Sequence, residues 1–437
     1  MPHFEKMLYD QALIAGIYFD AWKVEKAEFL RDTGESVLDY VLREMRDSEG
    51  GFYSAEDADS LDPETGKKAE GVFYIWTGNQ IREVLDPAAA DIFMYFYGIQ
   101  ESGNVLNDPH GEFPGKNILA VKHDITATAE HFTLTAEEAG AILEQARERL
   151  LLERRKRPHP HLDDKIITSW NGLMISALAK GYQVSENPEY IDAAEKAARF
   201  ILEYMYDGQS ATLYRRSRSG EQGLRGQLDD YANFIQGLLD LYEAGFEIFW
   251  LQKAMELTRR MMELFEDTVL GGFFETSDND TNLIMAMKDD FDGAEPAANS
   301  IAALNLLRLA RLFDKTDWYK KVENTVHVFS EVLSHYPESM PQMVTAYLLA
   351  GQNPRHAIIA TDKTVENHSF ETALKEEFHP ETAVIVINDK SSRQFFDEKL
   401  PFTREMNATD GKPTAYFCEN YSCHLSTIDA EEFRKNL

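Results

Sequence analysis

A chain of 437 residues with 75 acidic against 44 basic side chains, a formal charge of −31, excludes a phosphate backbone or an anionic lipid surface as a natural partner. Its 43% apolar and 11% aromatic content is that of an ordinary globular protein of one large or two to three smaller domains, and no stretch reaches the roughly 18 to 20 consecutive apolar residues of a membrane span. With two cysteines and no charged-then-apolar leader before the first helix, neither disulfides nor export is expected, and the cytoplasm is the expected compartment.

Apolar residues at three- and four-residue spacing predict a first helical hairpin over 7–19 and 24–46, closed by Gly50-Gly51-Phe52-Tyr53. Residues 50–133 are irregular and rich in Gly, Asp, Asn and Pro, with a strand-like run at 72–76 and short helices near 78–97. Thr133 or Thr135, ahead of Glu137 and Glu138, opens a helix over 135–155. Its basic end, Arg154-Arg155-Lys156-Arg157, suits the helix dipole and solvation. A second hairpin starts at Trp170-Asn171-Gly172 and leads to a short strand at Leu213-Tyr214. The fullest copy of the unit lies at 227–276: a helix to Gly245, a second from Phe249 to Phe265, then Gly271-Gly272-Phe273-Phe274-Glu275-Thr276. Another pair spans Gly293 to Val332, and one more helix is expected at 338–350.

Such a unit cannot bury its apolar stripe alone, so copies must pack side by side. Their spacing, roughly sixty residues and irregular, is too long for the common solenoid repeats of ~34 to 47. Helix hairpins joined by extended loops predict an α/α toroid whose loops gather at one mouth. Near residue 352 the pattern changes to strand 356–360, helix 367–377 and strand 383–387, a small β-α-β appendage, with a further strand at 415–418 and a last helix at 429–435.

The candidate chemistry lies at helix starts and loops. Asp163-Asp164 before Trp170-Asn171, and Asp229-Asp230-Tyr231, occupy matching places in two units. Paired carboxylates at a mouth supply an acid and a base; N-capping accounts for one Asp of each pair equally well. Asp292, Glu295 and Asn299 repeat the theme. The run Ser54-Ala55-Glu56-Asp57-Ala58-Asp59 clusters carboxylates without the spacing or turn glycine of an oxygen-rich metal loop, so no metal is expected. His3, beside Glu5, Lys6 and Asp10, is a candidate base, against the plainer reading of a solvated terminal histidine. Tyr53 and Trp170 are among many aromatics at the expected mouth; aromatic faces with carboxylates and amides suit sugars, and core packing competes for most of them. Cys418 and Cys423, four residues apart, are too widely spaced for Cys-x-x-Cys and read as reduced structural thiols.

Taken together, His3–Asp10, Gly51–Asp59, Gly115-Lys116-Asn117-Ile118-Leu119, Asp163-Asp164-Lys165 with Thr168–Met174, Asp229–Ala232 and Phe291–Ala294 resemble the YyaL-like family, which includes the spermatogenesis-associated thioredoxin-like proteins. The resemblance implies an (α/α)6 toroid similar to those of N-acylglucosamine 2-epimerase and other six-hairpin carbohydrate enzymes, here expected over 1–352 without its first hairpin, followed by the α/β appendage at 353–437. It also implies a thioredoxin-like domain, absent here and a candidate partner in trans. The activity it implies is that of a sugar epimerase or isomerase with a carbohydrate or polyol as ligand and no cofactor. Candidate catalytic residues are His3, Asp164, Asp230 and Tyr231. Candidate substrate contacts are Glu5, Tyr53, Glu56, Asp57, Asp59, Lys116, Asn117, Asp163, Trp170, Asn171, Asp229, Asp292 and Asn299. A glycoside hydrolase built on the paired aspartates, and a non-catalytic scaffold for a thioredoxin-like module, are the alternatives.

Overall fold

A computed structural model of the chain describes residues 3–63, 65–105, 113–277, 285–361, 368–420 and 422–437. It divides into two compact units, one of residues 1–6 and 55–163, the other of 7–54 and 164–437. Residues 353–437, expected as a separate appendage, fall in the larger unit.

In the larger unit four hairpins follow one another: α1 (Leu8–Glu25) with α2 (Glu28–Glu44), α3 (Thr168–Ser185) with α4 (Pro188–Tyr204), α5 (Leu228–Gly245) with α6 (Ile248–Phe265), and α7 (Ala298–Phe313) with α8 (Thr316–Val328). After a short helix at Ser330–His335 comes α9 (Pro341–Ala350). The leading helices pack in chain order, α1 on α3, α3 on α5, α5 on α7 and α7 on α9, which is the hairpin succession of an α/α toroid. Each hairpin turns through two residues, the first left-handed: Lys26, Glu186, Phe246 and Asp314 have φ of 54°, 55°, 55° and 50°. Their amides bond back to the carbonyls of Trp22, Tyr182, Tyr242 and Ala310, the αL form of helix C-cap. The tightest approach joins α3 to α5. A Cβ on Gly172 would lie 2.5 Å from the Asn233 backbone, and one on Gly237 would lie 2.6 Å from the Gly172 carbonyl. Around this contact Tyr231, Phe234, Trp250, Phe265 and Phe19 are fully buried in one core.

The C-terminal part adds β1 (Arg355–Ala360), α10 (His368–Glu376), β2 (Thr382–Ile387), α11 (Lys390–Lys399), β3 (Thr414–Glu419), β4 (Ser422–Thr427) and α12 (Ala430–Arg434); residue 367, expected to open α10, lies outside the described residues. β1 and β2 pair in parallel, Ile358 opposite Ile385, as the two apolar runs predict, and β3 and β4 extend the sheet antiparallel. Cys418 and Cys423 face each other across β3 and β4 and form a disulfide. This corrects the expectation of reduced thiols: four intervening residues are what a tight hairpin needs to bring two cysteines opposite.

The smaller unit carries helices at Gly78–Val84, Pro87–Phe96, Ile125–Phe132 and Ala136–Arg154. Thr77 with Gln80, and Thr135 with Glu138, make capping boxes. The apolar run at 72–76, expected as a strand, opens as a turn over 72–74 instead, and only Trp76 makes an isolated antiparallel bridge, to Asn117. The Arg157 guanidinium donates to the carbonyls of Val72, Phe73 and Ile75 at 3.3, 3.0 and 2.7 Å, so part of the basic run anchors a loop rather than a solvated helix end. Among the described residues, no helix is long and apolar enough to cross a membrane.

Candidate functional site

Four leading helices of the larger unit place polar and aromatic residues at their N-terminal ends. Trp170, in the first turn of α3, donates its indole N–H to Glu295 Oε1 at 2.9 Å. Tyr9, in the first turn of α1, packs edge-on against the same indole, ring centres 5.0 Å apart. Asp229, in the first turn of α5, takes two hydrogen bonds from Arg215 Nη1, at 2.7 and 3.0 Å. Glu275, after the Gly271-Gly272 turn, accepts from the Asp289 amide at 3.2 Å and from Asn299 Nδ2 at 3.4 Å.

Their proton affinities differ. Burial lifts the Glu275 carboxyl to about 7, helped by the charges of Asp229 and Asp289. Burial also raises Glu295, with Asp229 adding to the rise and the Trp170 indole opposing it. Arg215 pairs with Asp229, while burial biases Glu275 and Glu295 toward holding a proton.

The other candidates sit as follows. Asp230 is fully buried and accepts from the Gln227 amide at 2.9 Å, the Ser169 amide at 3.1 Å and Arg215 at 3.0 Å; burial drives its carboxyl upward against these donors. Tyr231 is fully buried, and its hydroxyl accepts from the Leu213 amide at 3.0 Å. Asp164 pairs with Arg218 at 2.6 Å where both side chains are about half exposed. Asn171 bonds the Phe52 amide and carbonyl at 2.8 and 3.0 Å, and Asn299 bonds those of Phe273 at 2.8 Å each. Asp292 accepts from the Ala297 and Gln342 amides, both at 2.8 Å, tying together the starts of α7 and α9. Tyr53 donates to Asp47 at 2.8 Å, and burial first, then that bond, holds its hydroxyl proton to about 12.

The remaining candidates belong to the smaller unit. His3 and Glu5 are exposed. Glu56 is buried and accepts from the Tyr74 hydroxyl, over whose ring Lys6 lies at 3.7 Å. Asp57 accepts from the Asp59 amide at 3.1 Å. Asn117 is buried with its amide bonded to Gln100 and Trp76. Lys116 and Asp163 are half-buried. Among the described residues, no group of three His, Cys, Asp or Glu is placed to hold a metal ion.

No family model matches the chain. Along its whole length it is 36% identical to human Spermatogenesis-associated protein 20 and 35% identical to the mouse protein, covering 58% of each. The chain is a homologue of spermatogenesis-associated protein 20. An uncharacterized protein of Caenorhabditis elegans is 33% identical over 97% of this chain and 60% of its own length; the chain thus spans less than two thirds of these relatives. Among solved structures, the cellobiose 2-epimerase of Spirochaeta thermophila aligns with 78% of this chain and 63% of its own at 8% identity and a TM-score of 0.46. A D-mannose isomerase aligns with 75% and 76% at 14% identity and 0.38.

The residues that sequence reasoning did not select are Arg215, Glu275 and Tyr9, and Glu295 appeared only as part of a repeated pattern. Arg215 sits in a strand with no motif around it. Glu275 had a usable signal, since it follows a glycine pair at the place Ser54 occupies after Gly50-Gly51: the carbonyls of Glu275 and Ser54 accept the first amides of α5 and α1 in the same way.

Proposed function

We propose that the N-terminal ends of α1, α3, α5 and α7 form a carbohydrate-binding site that transfers protons on its ligand, in the manner of a sugar epimerase or isomerase. The observation that carries this reading is the cluster of Trp170, Glu295, Glu275 and the Asp229–Arg215 pair, drawn from five separate segments of one unit. The indole offers a flat apolar face for the C–H side of a sugar ring, and the carboxyls bond its hydroxyls. Glu275, whose proton affinity lies near neutrality, can both give and take a proton at the carbon beside a sugar carbonyl. Glu295 is its partner, oriented by the indole N–H. Asp229 and Arg215 fix hydroxyls or a carbonyl oxygen. Asp230 and Tyr231 act as positioning residues: the first caps α5 and holds Arg215, and the second secures the strand at Thr212–Arg218. Asp164 sits in a half-exposed ion pair suited to a rim contact.

Saturation-transfer NMR with aldoses, ketoses, N-acyl sugars and disaccharides tests the binding. The reading expects transfer to ring protons of at least one class, abolished in Trp170→Ala. A folded protein that shows no transfer to any class, or transfer unchanged in that variant, would refute it and return the scaffold alternative to first place.

A further inference from the structure

The leading helices carry a second polar layer well below the site described above. Asp20 of α1, Lys180 of α3 and Asp240 of α5 each stand twelve residues beyond the first residue of their helix, about 18 Å along the axis at ~1.5 Å per residue. These side chains line a cavity of about 400 Å³, which the segment between α10 and β2 also borders. That volume falls within the range of small-molecule sites.

Most charges here are matched. Lys180 bonds Asp20 at 2.6 Å. Arg308 bonds Asp240 at 2.7 Å and Glu243 at 2.8 Å. Arg311 donates to the carbonyls of Glu381, Leu349 and Gln352. Of the bordering acids, Glu381 pairs with Arg355 and Glu377 with Arg434. Lys23 differs: among the described residues its one hydrogen bond runs to the Gln183 amide oxygen, at 2.7 Å, and no carboxylate lies within ion-pair distance. Lys23, Lys180, Arg308 and Arg311 line the cavity with Asp20, Asp240, Glu243, Glu377 and Glu381, the last two held by Arg434 and Arg355 outside the lining.

A partly buried ammonium that meets only an amide loses hydration without a counter-ion, which is the arrangement a bound anion relieves. The loss of water pulls Lys23 down to about 8 even with Asp20, Glu243 and Asp240 opposing the fall. We propose that this cavity is a second binding site, for a small organic monocarboxylate bearing hydroxyl groups, with Lys23 as the group that recognises the carboxylate. Gln183, Asp20 and Glu243 are the hydroxyl acceptors and donors around it. The same carboxylates repel a dianion, so a hydroxy-carboxylate is favoured over a phosphate. This inference does not rest on the proton-transfer reading, because the two sites share no residue.

The test is calorimetric titration of the full chain with gluconate, with glucose and inorganic phosphate as controls, on wild type, Lys23→Met and Lys23→Arg. Gluconate is expected to bind wild type and to bind Lys23→Met at least about tenfold more weakly, the loss of one charge-assisted hydrogen bond, while Lys23→Arg keeps most of the affinity. Carbamoylation of Lys23 by cyanate, read by peptide mass, supplies a measure that needs no variant: gluconate should slow it and glucose should not. Equal binding of gluconate to wild type and Lys23→Met, no binding to wild type, or carbamoylation indifferent to gluconate would each overturn the proposal.

Discussion

Asn171 and Asn299 play one structural part in two places. Each is fully buried, precedes or occupies the first turn of a leading helix, and reads both the amide and the carbonyl of the phenylalanine after a glycine pair. Substituting either with Ala strands a buried amide and carbonyl, each costing about 1 to 3 kcal/mol, so both variants should lose several kcal/mol in urea denaturation, while losses under about 1 kcal/mol would contradict the part assigned to them. Glu275 makes a pH prediction. Its carboxyl is raised from an ordinary 4.5 to about 7 in the folded chain, so the folded state holds a proton that the unfolded chain releases between those values. Its contribution therefore falls as pH rises from about 4.5 to 7, and Glu275→Gln should remove that downward slope from a series of denaturation curves. In sequence, helix-start acids were legible as a class. Which of them is buried and bonded, like Asp230, which ties two helix starts together, like Asp292, and which meets the indole of Trp170, like Glu295, depends on contacts between segments about 50 to 125 residues apart in sequence.

At the scale of the element, the two-residue hairpin turn with a left-handed first residue recurs four times, and none of the four residues is glycine. A side chain there costs roughly 1 kcal/mol or more. Glu186→Gly should therefore stabilise the chain modestly, by up to about 1 kcal/mol after the greater freedom glycine gives the unfolded state. The helix end expected at Gly245 holds, but the left-handed residue that closes the turn is the next one, Phe246, and not the glycine. Apolar patterning was the legible part: the four hairpins follow from helix periodicity, and the parallel β1–β2 pair from two continuous apolar runs. The run at 72–76 failed because apolar composition alone does not separate a strand from a turn held by a distant guanidinium. Gly172→Ala presses a methyl against the Asn233 backbone, a contact that cannot shift cheaply. A loss of about 1 to 3 kcal/mol is expected by thermal or urea unfolding, against no change if α3 and α5 can move apart.

Across the whole molecule, homology to spermatogenesis-associated protein 20 runs the full chain, while the proposed site is confined to the starts of the leading helices of one unit. The strongly acidic surface suits a neutral ligand for that site better than a polyanion. The claim on which this account turns is that Glu275 and Glu295 move protons on a bound sugar. Proton NMR of the sugar panel in deuterated buffer measures it directly, as loss of the signal from the carbon beside the carbonyl. The account predicts exchange into at least one sugar by wild type, slowed at least about a hundredfold in Glu275→Gln, the scale of a lost general acid–base group. Exchange that proceeds unchanged in Glu275→Gln and Glu295→Gln, release of a free anomer without exchange, or no reaction with any sugar would contradict it.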